Sequence, residues 1–367
     1  MISRVTSTTV NNSLVGYIQQ NYADYAKLTE QLSTGKKINS MLDDTIQSIN
    51  IFNSNRLMNR IDIWSANIGS LTNEITQSSE TIDLVHDRAQ RAKDLATTAA
   101  NGTSTKDTLQ ATLTELDQII ESIVDLANTN YNGNYIYGGT NTKTPPYEIQ
   151  YGIDADGNPT DEIIGIKYTG TPMDGDWERQ LEIADGVFET VNVTGIEAFG
   201  TCDVEPVYDV DGTTPILDAD GNPTYQTNES SGIMGELINL RNAISDTVDK
   251  LEEQENLPEN TPQADREALG AEIKGCYDSI NGLLDGFSTA MDKMVQVNES
   301  FGAETNKLEM SSESLADSKL NLKDYISGIQ DLDLTEAISD WYTSQMAYQA
   351  SMQASSSIMS MSLLNYM

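Results

Sequence analysis

Between Leu57 and Ala99 the apolar residues fall at alternating spacings of four and three: Leu57, Ile61, Trp64, Ile68, Leu71 and Ile75, then, past Ser78, Ile82, Val85, Ala89, Ala92, Ala96 and Ala99. This is the seven-residue repeat of a helix that lays one seam along a partner. No proline interrupts the stretch and Gly69 is its only glycine. At a rise of ~1.5 Å per residue the spacing predicts a continuous helical rod of roughly 65 Å. One rod cannot cover its own seam, so the rest of the chain must be read for its partners.

The flanks repeat the pattern. Leu14, Ile18, Asn21, Tyr25, Leu28 and Leu32 predict a helix over about residues 11–32, with a polar Asn in the seam of the kind that fixes register. Gly35 suits its C-terminus, and Asp43-Asp44 places negative charge at the start of the next helix, near Thr45. Asn101-Gly102 breaks the long rod, Ser104 and Asp107 read as a capping box, and Leu109, Leu113, Leu116, Ile120, Ile123 and Ala127 fold back along it.

Past Asn128 the helical period vanishes. Residues 138–232 hold 13 of the 25 glycines and seven of the nine prolines, and short β-branched and aromatic runs at 162–168, 180–183 and 187–193 predict a small, mostly β insert. Asp-Ala-Asp-Gly-Asn-Pro-Thr occurs at 154–160 and again at 218–224 and reads as hairpin turns. Helix returns near Ile233, stops at Leu257-Pro258, restarts with Thr261 as N-cap before Pro262, and holds a four-three register for most of the distance to Ile329. The stripe slips at residues 331–333 and resumes as Leu334, Ile338, Trp341, Gln345, Tyr348, Met352, Met359 and Tyr366.

The expected fold is therefore mainly α: a long antiparallel helical bundle or coiled coil formed by the N- and C-terminal thirds, with an inserted β domain. Its segments are a terminal helix and loop (1–44), one half of the rod (45–137), the insert (138–232), the other half of the rod (233–330) and a C-terminal helix (331–367).

Composition excludes several functions. A net charge of -36 would be repelled by nucleic acid and by anionic membranes, and no apolar run approaches the ~20 residues that span a bilayer. Residues 1–16 carry no basic region or apolar core of a secretory signal, which makes the cytoplasm the default expectation. His86 is the single histidine, and neither Cys202 nor Cys276 has a base in view, so no catalytic site, metal, cofactor or disulfide is expected. The Asp-x-Asp-Gly strings at Asp154, Asp209 and Asp218 put glycine in the fourth position, whereas an EF-hand loop has it in the sixth. Hairpin turns are the expected reading of these strings, and a coiled-coil stalk presenting the acidic β-rich insert as an adhesive or ion-binding head is the alternative function.

Several motifs together resemble the flagellin family. They are Leu32-Ser33-Thr34-Gly35-Lys36-Lys37-Ile38-Asn39 with Asp43-Asp44, the turn Asn101-Gly102-Thr103, the run from Asn132 to Thr140, and the ending Ser362-Leu363-Leu364-Asn365-Tyr366-Met367. The run from Asn132 to Thr140 and the ending at residues 362–367 look more like the hook-associated branch than the filament subunit. Thr45-Ile46-Gln47-Ser48, which departs from the small residues of filament flagellins, favours the same branch, with the filament subunit kept as an alternative. The likeness covers residues 1–140 and 233–367 and does not reach 141–232. It implies a non-enzymatic extracellular subunit of the bacterial flagellum, exported unfolded by the type III apparatus, which replaces the cytoplasmic default.

It also implies partners: further copies of the chain, an adjacent hook-associated protein, flagellin, and an export chaperone before secretion. The residues assigned to these contacts are Leu14, Ile18, Tyr25, Leu28 and Leu32 on the first helix and Leu334, Ile338, Trp341, Tyr348, Met352 and Met359 on the last. Tyr342, Met346, Leu363 and Leu364 form a second apolar face of that last helix.

Overall fold

The computed structural model describes residues 7–102, 104–154, 158–171, 179–190, 193–208, 216–217, 223–258 and 261–364, with side chains between residues 12 and 357. Among the described residues there are seven helices: α1 (Ser7–Thr34), α2 (Thr45–Ala99), α3 (Lys106–Ala127), the single turn α4 (Gly195–Ala198), α5 (Gly232–Glu255), α6 (Gln263–Gln330) and α7 (Leu334–Leu364). Between α3 and α5 lie β1 (Asn130–Tyr131), β2 (Asn134–Tyr135), β3 (Tyr147–Ile153), β4 (Pro159–Tyr168), β5 (Gln180–Ala184), β6 (Val187–Thr190), β7 (Thr201–Pro206) and β8 (Tyr225–Ser231). The expected class is observed: mainly α, with an inserted β region. The chain divides into two compact units, residues 1–63 with 313–367, and residues 64–312. Helices α2 and α6 contribute to both.

In the larger unit α2 and α6 run antiparallel, as Ser79 Oγ donating to Asn298 at 2.6 Å and Tyr277 Oη donating to the Ser104 carbonyl at 3.0 Å show at two heights. From Trp64 onward the seam read from sequence is the buried one, with Trp64, Ile68, Leu71, Ile75, Ile82, Val85, Ala89, Ala92, Ala96 and Ala99 all inside. Leu57, which the four-three count places at its start, is instead 39% exposed, and the neighbouring Met58 is half-buried. Towards the α2–α3 turn the seam narrows to alanine, which lets backbones approach closely. Helix α3 folds back antiparallel as expected, with Arg91 of α2 paired to Glu115 at 2.6 Å. Its cap lies one residue later than the sequence indicates: Thr105, not Ser104, accepts from the Thr108 amide, because Ser104 is engaged with the Thr98 carbonyl.

The insert is built on a four-stranded antiparallel sheet in the order β3-β4-β7-β8. Strands β3 and β4, which flank the first Asp-Ala-Asp-Gly repeat, pair antiparallel, and Asp154 Oδ1 accepts from the Asn158 amide at 2.7 Å, while residues 155–157 of the repeat lie outside the described residues. The second repeat lies mostly outside the described residues, flanked by a bridge between Leu217 and Pro223. The sheet packs on α3 and α5 through a fully buried aromatic group. Tyr137 and Phe199 meet edge to face at 4.7 Å, Tyr147 packs beside Phe199, and the Tyr137 hydroxyl donates to the Ser78 carbonyl of α2 at 2.8 Å. Arg241 of α5, 4% exposed, ties the layers by bonding Asp117 of α3 at 3.1 Å and Glu162 of β4 at 2.8 Å. A separate hairpin, β5-β6, lies on the helices: Asn67 donates to the Glu182 carbonyl at 2.8 Å, and Arg179 pairs with Glu74 at 3.2 Å.

Candidate assembly interface

The smaller unit is organised by the antiparallel pair α1 and α7. Leu14, Ile18, Asn21, Tyr25, Leu28 and Leu32 form one half-buried line on α1, as their spacing predicts. The line that α7 turns to it is Ala337, Trp341, Ser344, Tyr348, Ser351 and Ser355, which also keeps a four-three register. Four aromatic rings fill the seam. Tyr22 and Tyr348 lie 5.5 Å apart, Tyr25 and Trp341 5.7 Å, and Tyr25 stacks on Tyr348 at 6.2 Å. The Trp341 indole donates to Thr29 Oγ1 at 2.9 Å, and the Asn21 amide reaches the Ala347 carbonyl at 3.5 Å.

The α7 stripe read from sequence is thus rotated by part of a turn. Trp341 and Tyr348 face α1, but Leu334, Ile338 and Met352 are exposed. Large rings from both helices occupy the seam, so the residues between them must be small, and alanine and serine take positions that an apolar count gives to leucine and methionine. The signal in the sequence is the serine and alanine at heptad spacing from two aromatics. Met359, Leu363 and Leu364 fall in the part of α7 whose side chains lie outside the described ones.

What this leaves in solvent is an apolar sector beside the seam. Leu334, Ile338, Tyr342, Met346 and Met352 are each between 46% and 62% exposed, and they lie along one side of a helix. Covering the exposed half of each side chain would contribute on the order of 1 kcal/mol. A soluble chain seldom exposes so contiguous an apolar face without a contact to make.

The connection between α1 and α2 is held firmly. Gly35 adopts a left-handed φ of 69°, which ends α1 and turns the chain towards the end of α6. The Lys37 amide donates to the Gln330 carbonyl at 2.7 Å, and the Leu332 amide donates to the Gly35 carbonyl at 3.0 Å. Asp43 then closes the loop: its Oδ2 accepts from the Asn39 and Ser40 amides at 3.0 and 2.9 Å, and Lys27 pairs with its other oxygen at 2.9 Å. These bonds, led by Lys27, pull the Asp43 carboxyl down to about 2.

The other candidate groups carry less. Cys202 is buried in β7 and Cys276 half-buried on α6, both as free thiols pushed upward by burial. Among the described residues no cluster of three or more His, Cys, Asp or Glu could hold a metal, and no helix is long and apolar enough to cross a membrane.

Comparisons with known proteins agree with this geometry. The sequence profile of the bacterial flagellin N-terminal helical region matches residues 5–142, and that of the C-terminal helical region matches residues 284–367; together they span more than half of the chain. Flagellar hook-associated protein 3 of Escherichia coli K12 is 22% identical over 347 residues, covering 94% of each chain. The protein of that name from Salmonella typhimurium LT2 is 21% identical over 361 residues, covering 98% of each. A solved structure from Vibrio parahaemolyticus, provisionally described as a flagellar hook-associated protein, shares the fold with a TM-score of 0.51 at 18% identity, over 79% of this chain and 100% of that one. The matched residues include the seam on α2, the loop after Gly35 and both terminal helices, and the chain belongs to the flagellin family and is a structural subunit of the bacterial flagellum.

Proposed function

We propose that the chain joins the hook side of the flagellum to its flagellin filament, polymerising through its terminal helices. The observation that carries this reading is the apolar sector of α7, turned to solvent beside a seam of aromatic rings with alanine and serine between them. A lone α1–α7 pair with Asn21, Gln345 and three serines in or beside its seam is marginal, and neighbours supply what it lacks. The two curated relatives are named for the hook-associated position and are matched over nearly their whole length. Partners on this reading are further copies of the chain, an adjacent hook-associated protein and flagellin.

The flagellum places the chain outside the cell. Its export is part of the proposal: it leaves unfolded through the type III apparatus, after an export chaperone has covered the terminal helices. Methionine's pliable side chain suits a face that fits different partners in turn. Deleting the gene in its source organism is expected to leave hooks without filaments and flagellin in the medium, with gold-labelled antibody against the wild-type chain marking the hook–filament boundary. Label along the whole filament would instead make the chain a filament flagellin.

A further inference from the structure

Within the smaller unit α2 carries two seams. Ile51, Ser54 and Ile61 are buried with Met58 half-buried, while Ile49, Phe52, Arg56, Asn59 and Ile63 repeat the three-four spacing on the opposite side and are all exposed. Phe52 is 63% exposed. The end of α6 has the same construction. Leu315 and Leu322 face inward, and Glu313, Asp317, Leu320 and Asp324 form an exposed line opposite them, with Leu320 at 58%. Each line occupies a narrow sector of its helix, as three- and four-residue steps require.

The two outer seams are complementary. Residues 45–61 contain Arg56 and Arg60 and no acidic residue, in a chain of net charge -36. The α6 seam presents three carboxylates. Among the described residues Arg56, Glu313 and Asp317 make no ion pair. Laid antiparallel, the seams bring Phe52 opposite Leu320 and Arg56 opposite Asp317 at the two central rungs, apolar against apolar and base against acid, while the outer rungs set Ile49 against Asp324 and Asn59 against Glu313. Each seam lies opposite its own helix's buried side, so they cannot meet within one chain.

We propose that the α6 seam of one copy docks on the α2 seam of the next. This rests on the reading of the chain as a self-assembling subunit and names the surfaces it uses. A second copy is the fitting occupant, because both halves of the match belong to this one sequence and other acidic surfaces would be repelled by the α6 seam. Such a contact is heterologous: every copy offers one donor and one acceptor face, so copies add in one direction and close into a ring or continue as a helix. The terminal helices then need only fasten a layer whose lateral order is already set.

The test is cross-linking of the full-length chain carrying Phe52→Cys and Leu320→Cys, with a short bismaleimide. It is read both in isolated flagella and in concentrated purified protein, with the single variants controlling for native Cys202 and Cys276. The expected result is a ladder of dimers, trimers and larger species from the double variant alone. Arg56→Glu or Asp317→Arg alone is expected to lower retention on hooks roughly tenfold while leaving melting unchanged, and the combination to restore it. An intrachain product, a bond to another flagellar subunit, or no ladder in either sample overturns the pairing. A ladder in purified protein from a chain absent from the hook–filament boundary would uphold the pairing and refute the junction reading.

Discussion

The indole of Trp341 donates to Thr29 Oγ1 at 2.9 Å, across 312 residues of sequence, and fixes the register between the first and last helices. Both helices have weak seams of their own, so this bond and the rings beside it do much of the specifying. Trp341→Phe keeps most of the ring contact with Tyr25 and loses the donor, at a cost of about 1 kcal/mol. Amide exchange in α7 is expected to quicken severalfold, while the buried seam of α2 between Trp64 and Ala99 stays protected. Equal protection of α7 in the variant and the wild type would show that the bond contributes nothing to the pair.

Asp43 predicts an acid-labile loop. Its carboxyl sits near 2 in the folded chain, below its ordinary value of 3.8, so the folded state favours the ionised form. The stabilisation is complete above the ordinary value and is lost as pH falls from about 4 towards 2. Amide exchange at Asn39 and Ser40 should therefore rise, relative to the intrinsic rate, across that interval. Asp43→Ala should give at neutral pH the exchange the wild type shows only in acid. Unchanged protection of these two amides in the alanine variant would remove Asp43 from this role.

Much of the fold was legible because the period of a long buried seam survives in the sequence. Leu71, Ile82, Val85 and Ala96 are 0–1% exposed, and each stands where a four-three count puts it. The β insert was legible as a change of composition and in the runs that form β4, β5 and β6, but β3 and β7 were not read, and neither was the sheet order, since the pairing of β4 with β7 is a long-range choice that no local pattern encodes. The exposed strand β8 has no alternation to read: Gln226, Thr227, Asn228 and Glu229 are polar on both faces. The α7 seam was misread for a different reason. Serine at 344, 351 and 355 is half-buried in the α1–α7 seam because large rings fill the space around it, and an apolar count cannot see a space filled from another helix.

Arg241 predicts how the insert is held. Its guanidinium is buried between Asp117 and Glu162, and Arg241→Ala removes the shared cation and opens a cavity, at a cost of about 3 kcal/mol. Near it Asp246 and Asp249 on α5 are both raised above the ordinary carboxylate value, first by burial and then by neighbouring negative charge, including that of Glu162. A carboxyl raised in the folded state binds its proton more tightly there, so it opposes folding above its folded pKa, and the penalty fades as pH falls from that value to the ordinary 3.8. The part of the melting profile due to these two groups should thus shift upward as pH falls towards the ordinary carboxylate value. Asp246→Asn with Asp249→Asn should raise melting at neutral pH and flatten the shift. A wild type and double variant with parallel profiles would show the two groups to be without effect.

The apolar sector of α7 predicts a separation of stability from assembly. Tyr342 and Met346 are 56% and 62% exposed, and they lie away from the line that meets α1. Replacing both with serine removes apolar surface that the folded monomer leaves mostly in water, apart from the edge-on contact of Tyr342 with Trp341 at 5.1 Å, so stability should fall by no more than about 1 kcal/mol. Assembly depends on the same surface becoming covered. If a neighbouring subunit buries these two side chains, the lost transfer energy is on the order of 2 kcal/mol per contact, roughly a thirtyfold weaker contact, repeated at every copy of a layer. The expected phenotype is a folded, exported chain that fails to hold filaments on hooks, together with weaker binding to the export chaperone if that protein covers the same face. Attachment can be counted by electron microscopy and chaperone binding measured by calorimetry. A variant that melts early would place the two side chains inside the monomer's own packing, and one that melts normally and still holds filaments would move the assembly contact to another face of α7.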